Sequence, residues 1–182
     1  MLLNRNGFKN NNWDRSAMLN SLIGRMIRRS PLRWYIPNKV TRMEVIQRAI
    51  DALGARKYLE IGVFDGGCFC SIKVESKIGV DPIAPAPAVA AESTKPGVRY
   101  FALASDEFFQ TTAPQALDGG IDVAFIDGLH TYAQAYRDCI NCLKYLKPNG
   151  LIFLHDCLPT SELEARAAKS VDEAVELNAG TS

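Results

Sequence analysis

Several features are missing from this sequence, and each absence narrows its class. No apolar run approaches the roughly 20 residues that a bilayer-spanning helix needs. The opening MLLNRNGFKNNNW has no apolar core of a secretory signal, so the expected compartment is the cytoplasm. The five cysteines (Cys68, Cys70, Cys139, Cys142 and Cys157) are an odd number in a chain without an export signal, which argues against a disulfide framework. Cys139-x-x-Cys142 finds no second pair at matching spacing, so small buried thiols are favoured over a zinc site. No internal repeat is visible. The chain has no G-x-G-x-x-G run, which disfavours a nicotinamide-dependent reductase.

What is present is the composition of an ordinary globular protein: 182 residues, 47% apolar and 23% charged. The net charge of +1 conceals an asymmetry, because residues 1–42 carry nine Lys/Arg against Asp14 alone, while the rest of the chain is acidic. The division expected from this is a basic extension over residues 1–40 and one domain over residues 41–182. The extension holds a short amphipathic helix over residues 16–29, with arginines in its last turn. A basic arm can meet anionic surfaces, but a solvated or partner-docking segment is the commoner case, and no nucleic-acid partner is expected.

The domain is organised around Lys57–Gly67, KYLEIGVFDGG. Tyr58, Leu59, Ile61, Val63 and Phe64 make an apolar run interrupted by Glu60, which reads as a strand buried on both faces. It runs into glycines at Gly62, Gly66 and Gly67, where backbone N–H groups can approach a ligand closely, followed by a segment able to start a helix. Ahead of it, Thr41-x-x-Glu44 is a capping box for a helix that ends at Gly54.

Further along, Lys77–Asp81, Val98–Leu103, Ile121–Ile126 and Leu151–Leu154 read as four more strands, with helical patterns between them. Tyr132, Tyr136, Cys139, Leu143 and Leu146 form the expected buried stripe of the helix opened by Thr131-x-x-Gln134. Lys147–Gly150 ends that helix. Alternating helices and apolar strands imply a parallel α/β sheet. In such a sheet the ligand lies across the carboxyl ends of the strands. Those ends carry Glu60 with the glycine loop, Asp81, Ser105-Asp106, Asp127 and His155-Asp156. Burial alone would not place a polar or acidic group at every one. Asp81, nineteen positions beyond Gly62, stands where a carboxylate accepts from both hydroxyls of a ribose.

The layout Glu60-x-Gly62-x-x-x-Gly66, with Phe125-Ile126-Asp127-Gly128-Leu129-His130-Thr131-Tyr132 and Leu154-His155-Asp156, resembles the class I S-adenosylmethionine-dependent methyltransferases of the small-molecule O-methylating group. The resemblance covers about Thr41 to Pro159. It implies a Rossmann-like sheet of order 3-2-1-4-5 with helices on both faces. It also implies methionine contacts from Glu60, Gly62, Phe64, Gly66 and Gly67, ribose contacts from Asp81, and adenine contacts near Ser105 and Asp106, with Asp127 also touching the cofactor.

The implied transfer site is Asp127, His130 and Asp156, with His130 as the general base. Its other reading is a capping or packing histidine. His155 has the weaker case. Two carboxylates, Asp127 and Asp156, suit Mg²⁺, which lowers the pKa of a bound hydroxyl. Metal-dependent relatives place Asp-Asn or Asp-Asp after the fifth strand; here the pair is Asp156-Cys157, and cysteine is a poor Mg²⁺ ligand.

The function expected is methyl transfer from S-adenosylmethionine to a hydroxyl of a small molecule, with a sugar among the candidates. The alternative is a catalytically silent relative serving as a binding or interaction module. After the fifth strand only one further helix, residues 161–177, is legible, so strands six and seven of the resembled fold are expected to be missing. That leaves the fifth strand as an apolar sheet edge through which a homo-oligomer can form.

Overall fold

The computed structural model describes residues 40–157 together with Glu173. The helix expected over residues 16–29, the helix expected over residues 161–177 apart from Glu173, the basic arm over residues 1–39 and the chain end lie outside the described residues.

The domain opens with α1 (Arg42–Leu53), and both halves of its capping box form: Thr41 Oγ1 accepts from the Glu44 amide, and the Glu44 carboxylate accepts from the Thr41 amide. Gly54 ends the helix in the left-handed conformation. The strands β1 (Lys57–Ile61), β2 (Ser76–Val80), β3 (Val98–Phe101), β4 (Ile121–Ile126) and β5 (Leu146–Leu154) follow. Between them lie the helices α2 (Pro87–Glu92), α3 (Ser105–Thr111), α4 (Ala113–Ala116) and α5 (Tyr132–Leu143). All neighbouring strands are parallel, in the order β3-β2-β1-β4-β5, as expected. Among the described residues β5 pairs with β4 alone. No described helix is long and apolar enough to cross a membrane.

Strand side chains alternate between two faces, and the core divides accordingly. Leu59, Ile61, Ile78, Val80, Ala124 and Ile126 pack with Phe108 and Phe109 of α3 and Cys142 of α5. Tyr58, Val123 and Phe125 point the other way, onto Ile46 and Ile50 of α1, Phe69 and Ile72 of the glycine loop, and Val89 of α2. Completely burying one such side chain contributes about 1.5–3 kcal/mol, so the two layers together hold the five strand ends in register.

Four local expectations need correction. β1 stops at Ile61 rather than reaching Phe64, because Gly62 turns the chain at φ 84° and the amides of Val63 and Phe64 swing round to Asp81. Residues 64–71 form successive turns rather than an α-helix, so no regular helix N-terminus follows the glycine loop. β5 begins at Leu146 and runs through Lys147–Gly150, which were expected only to end the preceding helix. Of the stripe expected to bury α5, Tyr132 (85% exposed, stacked on Tyr136), Tyr136 and Leu143 face outward, Cys139 packs partly buried on the core, and Leu146 belongs to β5. The helix turns Gln134, Asp138 and Cys142 inward, at i, i+4 and i+8, because Gln134 and Asp138 are hydrogen-bonded there and Cys142 fills the core.

Candidate active site

The carboxyl ends of the strands enclose a cleft of about 920 Å³, within the range of small-molecule sites. Its floor is the end of β1. Glu60 is buried there, and the Tyr58 hydroxyl donates to its Oε2 at 2.6 Å, with Cys68 Sγ 3.8 Å from the same hydroxyl. Loss of solvent pushes the Glu60 carboxyl up to about 7, against the opposing pull of its hydrogen bonds. The same burial raises Cys68 to about 12, so this thiol is an uncharged wall of the site.

Gly62 is required by proximity as well as by its φ. A Cβ on Gly62 would lie 2.2 Å from the Asp127 carbonyl oxygen, so the ends of β1 and β4 touch there through backbone. Gly66, at φ 85°, has no room for a Cβ beside Val89 of α2. Gly62 and Phe64 line the cleft, whereas Gly66 and Gly67 stand behind it and shape the loop.

Asp81 lines the second wall. Its Oδ2 accepts from the amides of Val63 and Phe64, both at 2.9 Å, and its Oδ1 from Ile83 at 2.9 Å. Each carboxylate oxygen has two acceptor sites, so Oδ1 keeps one for a ligand while Oδ2 anchors the loop. On the β3 side, Gln134 Nε2 reaches Ser105 Oγ (3.0 Å), Asp106 Oδ1 (3.3 Å) and Asp138 Oδ1 (3.1 Å). Burial raises the Asp138 carboxyl above its ordinary value. Gln134 and Asp138 both line the cleft. The capping pattern pointed to Gln134, but only the Thr131 half of that box forms, because the glutamine side chain is used across the cleft.

The ends of β4 and β5 bring Asp127, His130, His155 and Asp156 together. His130 Nε2 lies 3.3 Å from Asp127 Oδ1 and its Nδ1 3.5 Å from Asp156 Oδ2. The Asp127 contact holds the imidazole above its ordinary value of 6.5, desolvation opposing it. His155 Nδ1 is 3.0 Å from Asp127 Oδ1 and 3.1 Å from Asp156 Oδ2, yet it is buried with neither oxygen in line for a hydrogen bond. Arg42, at the start of α1, places Nη1 3.3 Å from Asp127 Oδ2 and 2.9 Å from His155 Nε2. Sequence reading missed Arg42 altogether, since nothing in local spacing links it to a histidine 113 positions away.

The Mg²⁺ pair expected from the sequence, Asp127 with Asp156, is not the set that converges. Among the described residues the ligand atoms lying within 4.8 Å of one another belong to Asp127, His130 and His155. Mg²⁺ requires oxygen ligands in a near-ideal octahedron. Two imidazoles and one carboxylate already shared with a guanidinium do not fit it.

A doubly covered parallel sheet of this order, with a polar cleft across its strand ends, is the fold of the class I methyltransferases. A family model described as a methyltransferase domain matches residues 59–157. That is more than half of the chain, which therefore belongs to this family. A search of curated protein sequences finds no match.

Among solved structures, the chain is similar to the O-methyltransferase TomG from Streptomyces achromogenes, involved in tomaymycin synthesis and solved with SAM. The two share 15% identity with a TM-score of 0.56 over 82% of this chain and 74% of that one. It is also similar to an O-methyltransferase from Bacillus cereus solved with SAH (16%, TM-score 0.53, 90% and 82%). A third is the N-methyltransferase NodS from Bradyrhizobium japonicum WM9 (15%, TM-score 0.50, 74% and 79%). At these identities the likeness concerns the fold.

Proposed function

We propose that the protein transfers the methyl group of S-adenosylmethionine to a hydroxyl of a small molecule. The observation that carries this reading is the position of His130, between two strand-end carboxylates on the wall of the same cleft that holds Glu60, Asp81, Ser105 and Asp106. The β1–β3 side takes the cofactor. Glu60, Gly62 and Phe64 face its methionine part, the remaining acceptor site of Asp81 a ribose hydroxyl, and Ser105 and Asp106 the adenine.

A sulfonium methyl is already activated, so the protein's work is to align the acceptor and remove its proton. His130 Nε2 is held by Asp127, while Nδ1, too far from Asp156 for a direct hydrogen bond, is the nitrogen that takes the hydroxyl proton. The acceptor oxygen then bonds the methyl carbon as the carbon–sulfur bond breaks, leaving S-adenosylhomocysteine, a methyl ether and a proton on His130. No step passes through Mg²⁺.

Isothermal titration with S-adenosylmethionine, S-adenosylhomocysteine and NAD(P)H tests the cofactor, and transfer of labelled methyl across a panel of hydroxylated acceptors, sugars included, tests the reaction. Binding of the two sulfur nucleosides with transfer to a hydroxyl is expected. Binding without transfer to any acceptor class would favour a silent interaction module, and binding of NAD(P)H alone would overturn the reading.

A further inference from the structure

Arg42 lines this site, yet the proposed chemistry assigns it no part. We propose that Arg42 occupies the place of a divalent cation between Asp127 and His155, so that the transfer site carries its own cation and excludes a bound metal. This rests on the reading of the β4 and β5 ends as the transfer site.

The position is built rather than incidental. Arg42 is the first residue of α1, whose end is closed by the reciprocal Thr41–Glu44 cap and whose Ile46 and Ile50 pack the helix on the sheet. One nitrogen, Nη1, faces both Asp127 Oδ2 (3.3 Å) and His155 Nε2 (2.9 Å). A guanidinium has donors only and stays protonated. His155 Nε2 must therefore accept, and Nδ1 must carry the proton. That proton lies between Asp127 Oδ1 and Asp156 Oδ2, at 3.0 and 3.1 Å from the nitrogen, in line with neither.

A metal held by Asp127 and the nearer nitrogen of His155 demands the reverse arrangement. A ligating imidazole must present a lone pair to the ion. A lone pair on Nδ1 moves the hydrogen of the neutral ring to Nε2, where it would meet an Arg42 N–H head-on at 2.9 Å. The ion's charge would also stand close to the guanidinium. Arg42 in its observed place and a metal in that place are mutually exclusive, although Asp127, His130 and His155 have the convergence a metal would use. The side chain of Arg42 lines the cleft and is 46% exposed.

The test uses the full 182-residue chain with Mn²⁺ and Zn²⁺ as probes, read by electron paramagnetic resonance and by calorimetry. Weak binding without saturation is expected for the parent protein. Arg42→Ala and Arg42→Gln should each bind about tenfold more tightly or better, because a charge repelling the ion at close range has been removed. Arg42→Lys, which keeps the charge, should restore exclusion, and Asp127→Asn added to Arg42→Ala should abolish the gain.

Nitrogen-15 NMR of the ring supplies a signature that a merely structural residue would not move. His155 should be the Nδ1–H tautomer in the parent and should shift toward Nε2–H in Arg42→Ala. Stoichiometric metal binding by the parent that is lost in Asp127→Asn would overturn the proposal. So would Arg42→Ala and Arg42→Gln proteins that are folded by thermal melting yet bind metal no better than the parent. S-adenosylhomocysteine titration of the same samples is separate: its failure would sink the cofactor reading, while the metal and tautomer results would still decide the role of Arg42.

Discussion

The two halves of the cleft are built on opposite terms. On the β1–β2 side the ionisable groups are buried and already partnered: Glu60 is 1% and Asp81 6% exposed, the first held by a tyrosine hydroxyl and the second by three backbone amides. On the β4–β5 side the side chains are open, His130 at 23% and Asp156 at 61%, and the contacts are between ionisable groups at 3.0–3.5 Å. A site whose carboxylates are buried and held by fixed internal donors keeps one shape. A site whose donors and acceptors face one another across open space changes with protonation and with whatever enters. The first half therefore suits a constant ligand, and the second suits chemistry.

The harshest way to break the contrast is to strike where the halves join. Gly62→Ala places a Cβ 2.2 Å from a backbone oxygen at φ 84°. Overpacking and left-handed strain together should cost about 4 kcal/mol, seen in urea denaturation. A loss below about 1 kcal/mol would mean that the strand ends are not in contact.

Next in size is a test of the buried half alone. Glu60 has its folded value raised to about 7 from 4.5. Between those values the folded state holds a proton that the unfolded state has released, so stability falls as pH rises, by roughly 3 kcal/mol in all. Glu60→Gln should remove that loss when unfolding is compared at pH 5 and pH 8. Equal pH dependence in both proteins would contradict the assignment.

Asp81→Ala sharpens the comparison by separating support from recognition. It should weaken S-adenosylhomocysteine by roughly 1–3 kcal/mol, and it should also destabilise the ligand-free protein because three amides lose their acceptor. Unchanged affinity in a folded variant would remove Asp81 from the cofactor site. The mildest effect belongs to the open half. His130 must be neutral to act as a base, and Asp127 raises its value above 6.5. The acid limb of kcat/KM with an identified acceptor should therefore lie above pH 6.5, and Asp127→Asn should move it down. A limb that stays put in that variant would exclude His130 as the base.

The sequence was most legible where chemistry and periodicity coincide. The strand around Leu59 and Ile61 buried on both faces, the Thr41–Glu44 cap and the polar strand ends all appear where expected, and the resemblance supplied the strand order. Phe64 was drawn into β1 by its apolar side chain, but backbone amides answering Asp81 decide that turn. Tyr132 and Tyr136 have the spacing of a buried stripe, yet the face bearing Gln134 and Asp138 goes inward, since a buried amide and carboxyl that satisfy each other compete with an aromatic face. Arg42 was invisible because its partners are supplied by the fold. Glu60 was read as a cofactor contact, but its shifted titration required knowing how completely the strand is covered.

The backbone contact between Gly62 and Asp127 has a consequence for how this site tolerates change in chain length. Glu60 pairs with Phe125 and Ile61 with Ile126, so the glycine loop and the loop carrying His130 leave adjacent strands at the same level, one strand spacing of about 4.8 Å apart. For the methyl transfer proposed above, the sheet would act as a ruler for the distance between donor and base. One residue inserted into β1 or β4 would slide a loop by about 3.3 Å along its strand, against a tolerance near 0.5 Å for productive alignment. Insertions and deletions should therefore be refused between Glu60 and Gly62 and between Phe125 and Asp127.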